Sequence, residues 1–187
     1  VRMVDAVVRR FRDRVQIWHC ASRLNLNEGL SLDEQERLML AVAILRTIHS
    51  VDTSSPVVIS FDRPWGEYLA HEHVDLSPLH FADELVRAET GLRGLGLEMN
   101  LGFSPGCTPF RDLLELNRQI DRWSSLGLPL LLSLTIPGSN DATQSSPPHS
   151  QANAWHPSLD FQRQMVAELF PLLLAKTSIH GVIWKQL

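Results

Sequence analysis

The chain is poor in cysteine, in basic charge and in long apolar runs, and each shortage removes a class of protein. Two cysteines, Cys20 and Cys107, exclude a disulfide framework and a multi-cysteine metal site. A formal net charge of −4 leaves no electrostatic footprint for nucleic acid and no polybasic patch for a membrane surface. The longest apolar stretch, Leu126 to Leu134, is broken by Gly127, Pro129 and Ser133 and is far too short to span a bilayer. No glycine-rich phosphate loop opens a helix, because Gly94-Leu95-Gly96 lies inside a strand pattern, and this argues against a nucleotide-binding doubly wound fold. No signal peptide and no sequence repeat are visible. A chain that begins at Val1 without methionine, and stops just past an apolar run, reads as part of a longer protein.

What is present is enough apolar material for one sizeable core, 44% of 187 residues. It is arranged in five short runs, each ending in a polar or aromatic cluster. They are Val15-Gln16-Ile17-Trp18-His19, Val57-Val58-Ile59-Ser60-Phe61-Asp62, Leu95-Gly96-Leu97-Glu98-Met99-Asn100, Leu130-Leu131-Leu132-Ser133-Leu134-Thr135 and Gly181-Val182-Ile183-Trp184. Strands are expected at 15–19, 57–61, 94–101, 129–134 and 181–184. Helical patterns alternate with them. Residues 2–12 carry Val4, Val7, Val8 and Phe11 among arginines. Ser31-Leu32-Asp33-Glu34 matches a capping box ahead of Leu38, Val42, Leu45 and Ile48. Ser77-Pro78 and Thr108-Pro109 are two further start signals, followed by Phe81, Leu85 and Val86 and by Leu113, Leu116, Ile120 and Trp123. Gly127 is placed to end the latter helix, and Ser158 caps a last one with Phe161, Met165, Leu169 and Leu172.

Strands alternating with amphipathic helices imply a parallel sheet, and the intervals between strand ends are long enough for right-handed crossovers. The fold class is α/β, a piece of a (β/α)8 TIM barrel. In such barrels chemistry sits at the C-terminal ends of the strands. The stretch 137–154, rich in Ser, Pro, Asn and Gln, follows a strand and so falls on that face as a long loop.

Read in order, the strand ends resemble the second half of a family 10 glycoside hydrolase, the xylanase type of barrel, with five strands standing for roughly the fourth to eighth. Ile17-Trp18-His19-Cys20-Ala21-Ser22-Arg23 resembles the family's Trp-Asp-Val-Val-Asn-Glu segment, and Ile59-Ser60-Phe61-Asp62 its Asn-Asp strand end. Gly96-Leu97-Glu98-Met99-Asn100-Leu101 resembles Gly-Leu-Gln-x-His-Leu, and the run from Leu126 to Thr135 resembles Leu-Gly-Leu-Pro-x-x-x-Thr-Glu-Leu-Asp. Gly181-Val182-Ile183-Trp184 resembles the last strand with its sugar-stacking tryptophan. The resemblance covers residues 1–187 as the C-terminal portion of one barrel domain. It implies a carbohydrate ligand such as xylan, no cofactor, no metal, no nucleic acid and no membrane partner, and a secreted or periplasmic setting.

The departures fall on the family's chemistry. Retaining glycosidases need two carboxyl groups about 5–5.5 Å apart. The acid/base glutamate maps to Arg23, whose guanidinium cannot give up a proton near neutral pH. The preceding asparagine maps to Ser22, and the nucleophile maps to Leu134, which has no nucleophilic atom. Asn27-Glu28, an Asn-Glu dipeptide near the same strand, is the one alternative for the acid/base residue, although Glu28 lies ten residues after Trp18 instead of five and falls in the loop before Ser31.

The remaining candidates each have a bland alternative. Glu98 and Asn100 point to one side by strand alternation, so Glu98 is either a ligand-binding carboxylate or base, or a buried glutamate paired with Arg63 or Arg23. Asp62, Arg63, Trp65 and Glu67 cluster beyond a strand end, either to bind a ligand or as a loop salt bridge with a half-buried tryptophan. His71-Glu72-His73-Val74-Asp75 lacks the i, i+4 spacing of a helical metal site and reads as a solvated loop. His19 and His80 read as structural histidines, and Cys20 and Cys107 have no adjacent base. Trp18, Trp155 and Trp184 are placed to stack on sugar rings, while Trp123 reads as core. Asp62 and Glu98 are thus the tentative catalytic pair, and Trp18, Arg23, Trp65, Glu67, Asn100 and Trp184 the substrate-binding set. Three functions fit: a sugar-active domain with its usual glutamates replaced, a non-catalytic carbohydrate-binding or interaction domain, and an unrelated barrel enzyme using Asp62 and Glu98.

Overall fold

The computed structural model describes residues 1–26, 31–70, 76–101, 108–109, 111–136, 138 and 158–185. Five strands form one sheet in the order of the chain: β1 (Trp18–Ser22), β2 (Val57–Asp62), β3 (Leu92–Asn100), β4 (Leu130–Thr135) and β5 (Ile179–Trp184). All four neighbouring pairs are parallel. Helices α1 (Arg2–Phe11), α2 (Glu34–Val51), α3 (Pro78–Arg87), α4 (Leu113–Ser124) and α5 (Leu159–Leu174) alternate with the strands. This is a (β/α) arrangement with the strand order of part of a barrel, and all strand ends point the same way.

The sheet has two faces, and the side chains sort between them by alternation. Phe61 of β2 packs against Trp123 of α4 at 5.2 Å between ring centroids and against Phe81 of α3 at 6.0 Å. Odd-numbered β2 residues therefore face the helices. Through the register, Leu95, Leu97 and Met99 of β3 and Leu130, Leu132 and Leu134 of β4 join them, all essentially inaccessible to water. This layer is the hydrophobic core. The opposite face corresponds to the inside of a barrel. One row across it is Asp62, Glu98, Ser133 and Ile183, and the next row up holds Asn100 and Thr135.

Strand β1 starts three residues later than the apolar run predicts. Pairing begins where Trp18 N–H reaches the Pro56 carbonyl at 2.9 Å, and Ile17 is left half-exposed. Asp52 then anchors this end of the sheet. Its carboxylate accepts the Trp18 indole N–H at 2.8 Å, the Ser54 and Ser55 amides at 3.0 Å each and the Ser54 hydroxyl at 2.9 Å. These bonds, the Trp18 indole first, hold the Asp52 carboxyl well below the usual carboxylate range.

Helix starts follow carboxylates where these compete with hydroxyls. The capping box of α2 is Asp33 with Glu36 and not Ser31 with Glu34: Asp33 Oδ1 accepts the Glu36 amide, and Glu36 Oε2 accepts the Asp33 amide. Helix α4 is capped by Asp112 through the Glu115 amide at 2.8 Å, while Thr108, the expected start, bridges Leu101 beside β3. A carboxylate at the N-terminus gains from the helix dipole as well as from the bond. Ser77 and Ser158 cap α3 and α5 as expected. The buried stripe of α2 is rotated by one position, to Arg37, Ala41, Leu45 and Ile48, with Leu38 and Val42 only partly buried. Gly127, at φ 74°, closes α4 with a conformation that costs a residue bearing a Cβ. Among the described residues no helix is long and apolar enough to cross a membrane.

Candidate functional site

The strand ends of β1, β2, β3 and β5 bring four charges together as two neighbouring ion pairs. Asp62 and Glu98 are Cα register partners on adjacent strands and lie on the barrel-interior face. Arg23, the first residue past β1, reaches sideways to Asp62, Nε to Oδ2 at 3.3 Å. Lys185, the first residue past β5, reaches back across β4 to Glu98, Nζ to Oε2 at 3.3 Å. In both pairs the carboxylate is beneath and the cation on top. The Arg23 and Lys185 side chains are 54% and 48% exposed, those of Asp62 and Glu98 6% and 9%.

The backbone is bent to make this possible. Arg23 and Arg63, each directly after a strand, sit at φ 60° and 47°, in the left-handed region that non-glycine residues rarely occupy. Asn25, itself buried, ties the turn after β1 to the end of β2: its Nδ2 donates to the Asp62 carbonyl at 2.8 Å and to the Tyr68 hydroxyl at 3.1 Å. The Tyr68 hydroxyl donates in turn to the Asn25 carbonyl, and the Arg63 guanidinium lies over the Tyr68 ring.

Asp62 is also held from the β3 side. Its Oδ1 accepts the Arg63 amide at 2.9 Å and Asn100 Nδ2 at 3.2 Å, and Asn100 Oδ1 accepts the Thr135 hydroxyl at 3.1 Å. Burial is the largest influence on the Asp62 carboxyl and pushes it up; Arg23 and the Arg63 amide pull it down, and Glu98 adds to the rise. Ser133, in the same row as Glu98, is buried, and its hydroxyl has no hydrogen-bond partner among the described residues.

Glu67 begins a short 3-10 helix just beyond (Glu67–Ala70), and both its carboxylate oxygens are enclosed without a hydrogen-bond partner among the described residues. Burial raises this carboxyl, and Arg111, Arg63 and Asp62 all lie within electrostatic reach. Trp65 is half-buried against the core.

Two expected ligand-stacking residues are not brought to this face. Trp18 stands at the N-terminal end of β1, level with Val57 on the helix-facing side, with its indole bound to Asp52. Trp184 packs against Phe170 of α5, ring centroids 6.1 Å apart, because its parity on β5 matches Leu134. Leu134 itself is fully buried in the helix-facing core, so the interior positions at the end of β4 are Ser133 and Thr135.

His19 and His80 are exposed, and Trp123 is core. Burial pushes the Cys20 thiol up to about 12, which leaves it protonated and unreactive near neutral pH. Among the described residues no three His, Cys, Asp or Glu side chains converge to hold a metal. Glu28, residues 71–75, Cys107, Trp155 and, apart from Gly138, the loop 137–154 lie outside the described residues.

Sequence reasoning missed Lys185, Asn25, Tyr68, Ser133 and Thr135. Alternation puts Thr135 and Ser133 on one face of β4, and the register then sets Thr135 beside Asn100. Lys185 carried no such signal, since its role depends on a side chain crossing an intervening strand. Of the partners expected for Glu98, neither Arg63 nor Arg23 is the one bonded to it; Lys185 is.

No protein-family model matches the chain, and no curated protein matches it. Solved structures do. An endo-1,4-beta-xylanase from Caldicellulosiruptor owensensis superposes with a TM-score of 0.68 at 17% identity, over 98% of this chain and 54% of that one. Xylanase 10B from Thermotoga maritima gives 0.64 at 16%, over 97% and 52%. Xylanase 10B from Thermotoga petrophila, solved in complex with xylobiose, gives 0.63 at 15%, over 97% and 51%. The chain thus spans about half the length of these enzymes. At such identity the likeness establishes the fold: five consecutive strands of a barrel like theirs.

Proposed function

We propose that this chain is the C-terminal portion of a single barrel domain, resembling family 10 glycoside hydrolases, that binds a β-1,4-linked polysaccharide of the xylan type across its strand-end face without hydrolysing it by double displacement. The supporting observation is the Arg23–Asp62 ion pair. Arg23 occupies the position where the resemblance calls for the acid/base glutamate, and it lies 3.3 Å from a buried carboxylate. It cannot donate a proton to a leaving group. The position matching the nucleophile is Leu134, whose side chain is in the core. The polar residues that remain, Asp62, Glu98, Asn100, Trp65 and Glu67 with Lys185, supply acceptors, donors and an aromatic surface for sugar hydroxyls and ring faces.

The test is calorimetric titration of xylo-oligosaccharides into the full-length protein and its Asp62→Asn and Glu98→Gln variants. The reading expects wild-type binding that weakens about tenfold in each variant, the size of a lost charge-assisted hydrogen bond. Unchanged affinity in both variants would place the ligand elsewhere.

A second reading is favoured by the neighbouring carboxyls of Asp62 and Glu98. With Asp62 pushed up by burial, the pair has the makings of an acid and a base. A barrel enzyme working this way would lose turnover in Glu98→Gln and keep it in Glu28→Gln.

A further inference from the structure

We propose that the glycan taken by this face carries a carboxylate, a uronic acid unit, and that Arg23 is the group that binds it, with Lys185 as a second cation. This rests on the sugar-binding reading above and narrows its substrate class.

Three observations converge on Arg23. The Arg23 side chain is half exposed although its Nε lies 3.3 Å from the buried Asp62 carboxylate. A guanidinium can meet a carboxylate in a bidentate geometry, which an ammonium cannot reproduce. The backbone beneath it is held at φ 60°, a conformation that persists in a non-glycine residue only when its surroundings enforce it. Asn25 does the enforcing, through the Asp62 carbonyl and Tyr68.

The order of charges gives the sign of the ligand. The quartet Arg23, Asp62, Glu98 and Lys185 sums to zero, but its anions are buried and its cations face solvent. A ligand arriving at the strand ends meets the cations first, and the nearer charge dominates the interaction. The carboxylates beneath hold the two cations at the strand ends, where about half of each side chain stays open to a ligand. A neutral sugar can accept from these cations but would bring no opposite charge to them.

The experiment uses the full-length protein and two probes: a xylo-oligosaccharide bearing one glucuronate, and the same compound with that carboxylate reduced to an alcohol. At low ionic strength the acidic probe should bind about tenfold more tightly, and the preference should shrink as salt is added. Arg23→Gln should cut the preference to about threefold or less. Arg23→Lys, which keeps the charge and the pair with Asp62, should retain an intermediate preference and guards against a misfolded Gln variant. Equal affinity of the wild type for both probes overturns the acidic-ligand inference and leaves sugar binding standing. A preference that survives unchanged in Arg23→Gln overturns the role of Arg23. Binding of neither probe overturns the sugar-binding reading itself.

Discussion

Asp62 and Glu98 stand side by side on neighbouring strands as register partners, yet each is neutralised from the opposite edge of the sheet. Arg23 leans in from β1, and Lys185 reaches in from β5. The two carboxylates are thereby kept on one face without a shared partner. One pair ties the end of β1 to β2, and the other ties the end of β5 to β3 across β4.

Asp62 has more hydrogen bonds to lose than charge. Asp62→Asn retains an oxygen for the Arg63 amide and should cost about 1 kcal/mol. Asp62→Ala leaves that amide and Asn100 Nδ2 without their acceptor and should cost about 2–3 kcal/mol. Urea unfolding of the three proteins measures the difference; equal losses would mean that the ion pair, and not the acceptor role, is what Asp62 contributes.

Asp52 makes the fold acid-sensitive. Its folded carboxyl lies below its ordinary value of 3.8, so its contribution is present above that value and is lost as pH falls through the folded one. Thermal unfolding followed from about pH 7 down to about pH 2 should show a falling limb below about pH 4. In Asp52→Asn the protein should start less stable at neutral pH and show a shallower limb. An identical slope in both would assign the acid loss to other carboxylates.

Gly96 is required by its neighbour across the sheet. A Cβ there would meet Ser60 Oγ at 1.9 Å and Ser60 Cβ at 2.9 Å. Gly96→Ala should therefore destabilise by about 1–3 kcal/mol, as overpacking does. Ser60→Ala in the same chain should recover only part of the loss, because the second contact remains. Full recovery would show that the hydroxyl was the whole obstacle.

Trp184 separates packing from ligand contact. Trp184→Leu should lower the melting temperature through the lost contact with Phe170 and leave the affinity for xylo-oligosaccharides within about twofold. A tenfold loss of affinity would return Trp184 to the ligand face.

The barrel was legible because the apolar runs and helix stripes carry their own periods, and because parallel strands buried on both faces read as continuous apolar segments. Asp62, Glu98 and Asn100 were legible for the same reason, since alternation puts polar residues of one parity on one face. Parity also explains why Trp18 and Trp184 stand away from these residues: each lies on the helix-facing set, and Trp18 is at the far end of its strand. Lys185 and Asn25 were invisible because their partners come from the distant β3 and β2. The α2 and α4 starts slipped because two eligible caps stood close together, and only the folded chain decides between a hydroxyl and a nearby carboxylate.

The proposed sugar-binding face has Arg23 and Leu134 where the resemblance calls for the two catalytic glutamates. It is tested most directly by product analysis of xylohexaose incubated with the full-length protein at a concentration where titration has shown the sites to be filled. The account predicts bound but intact xylohexaose. Shorter xylo-oligosaccharides released at a rate that Glu98→Gln or Asp62→Asn abolishes would contradict it.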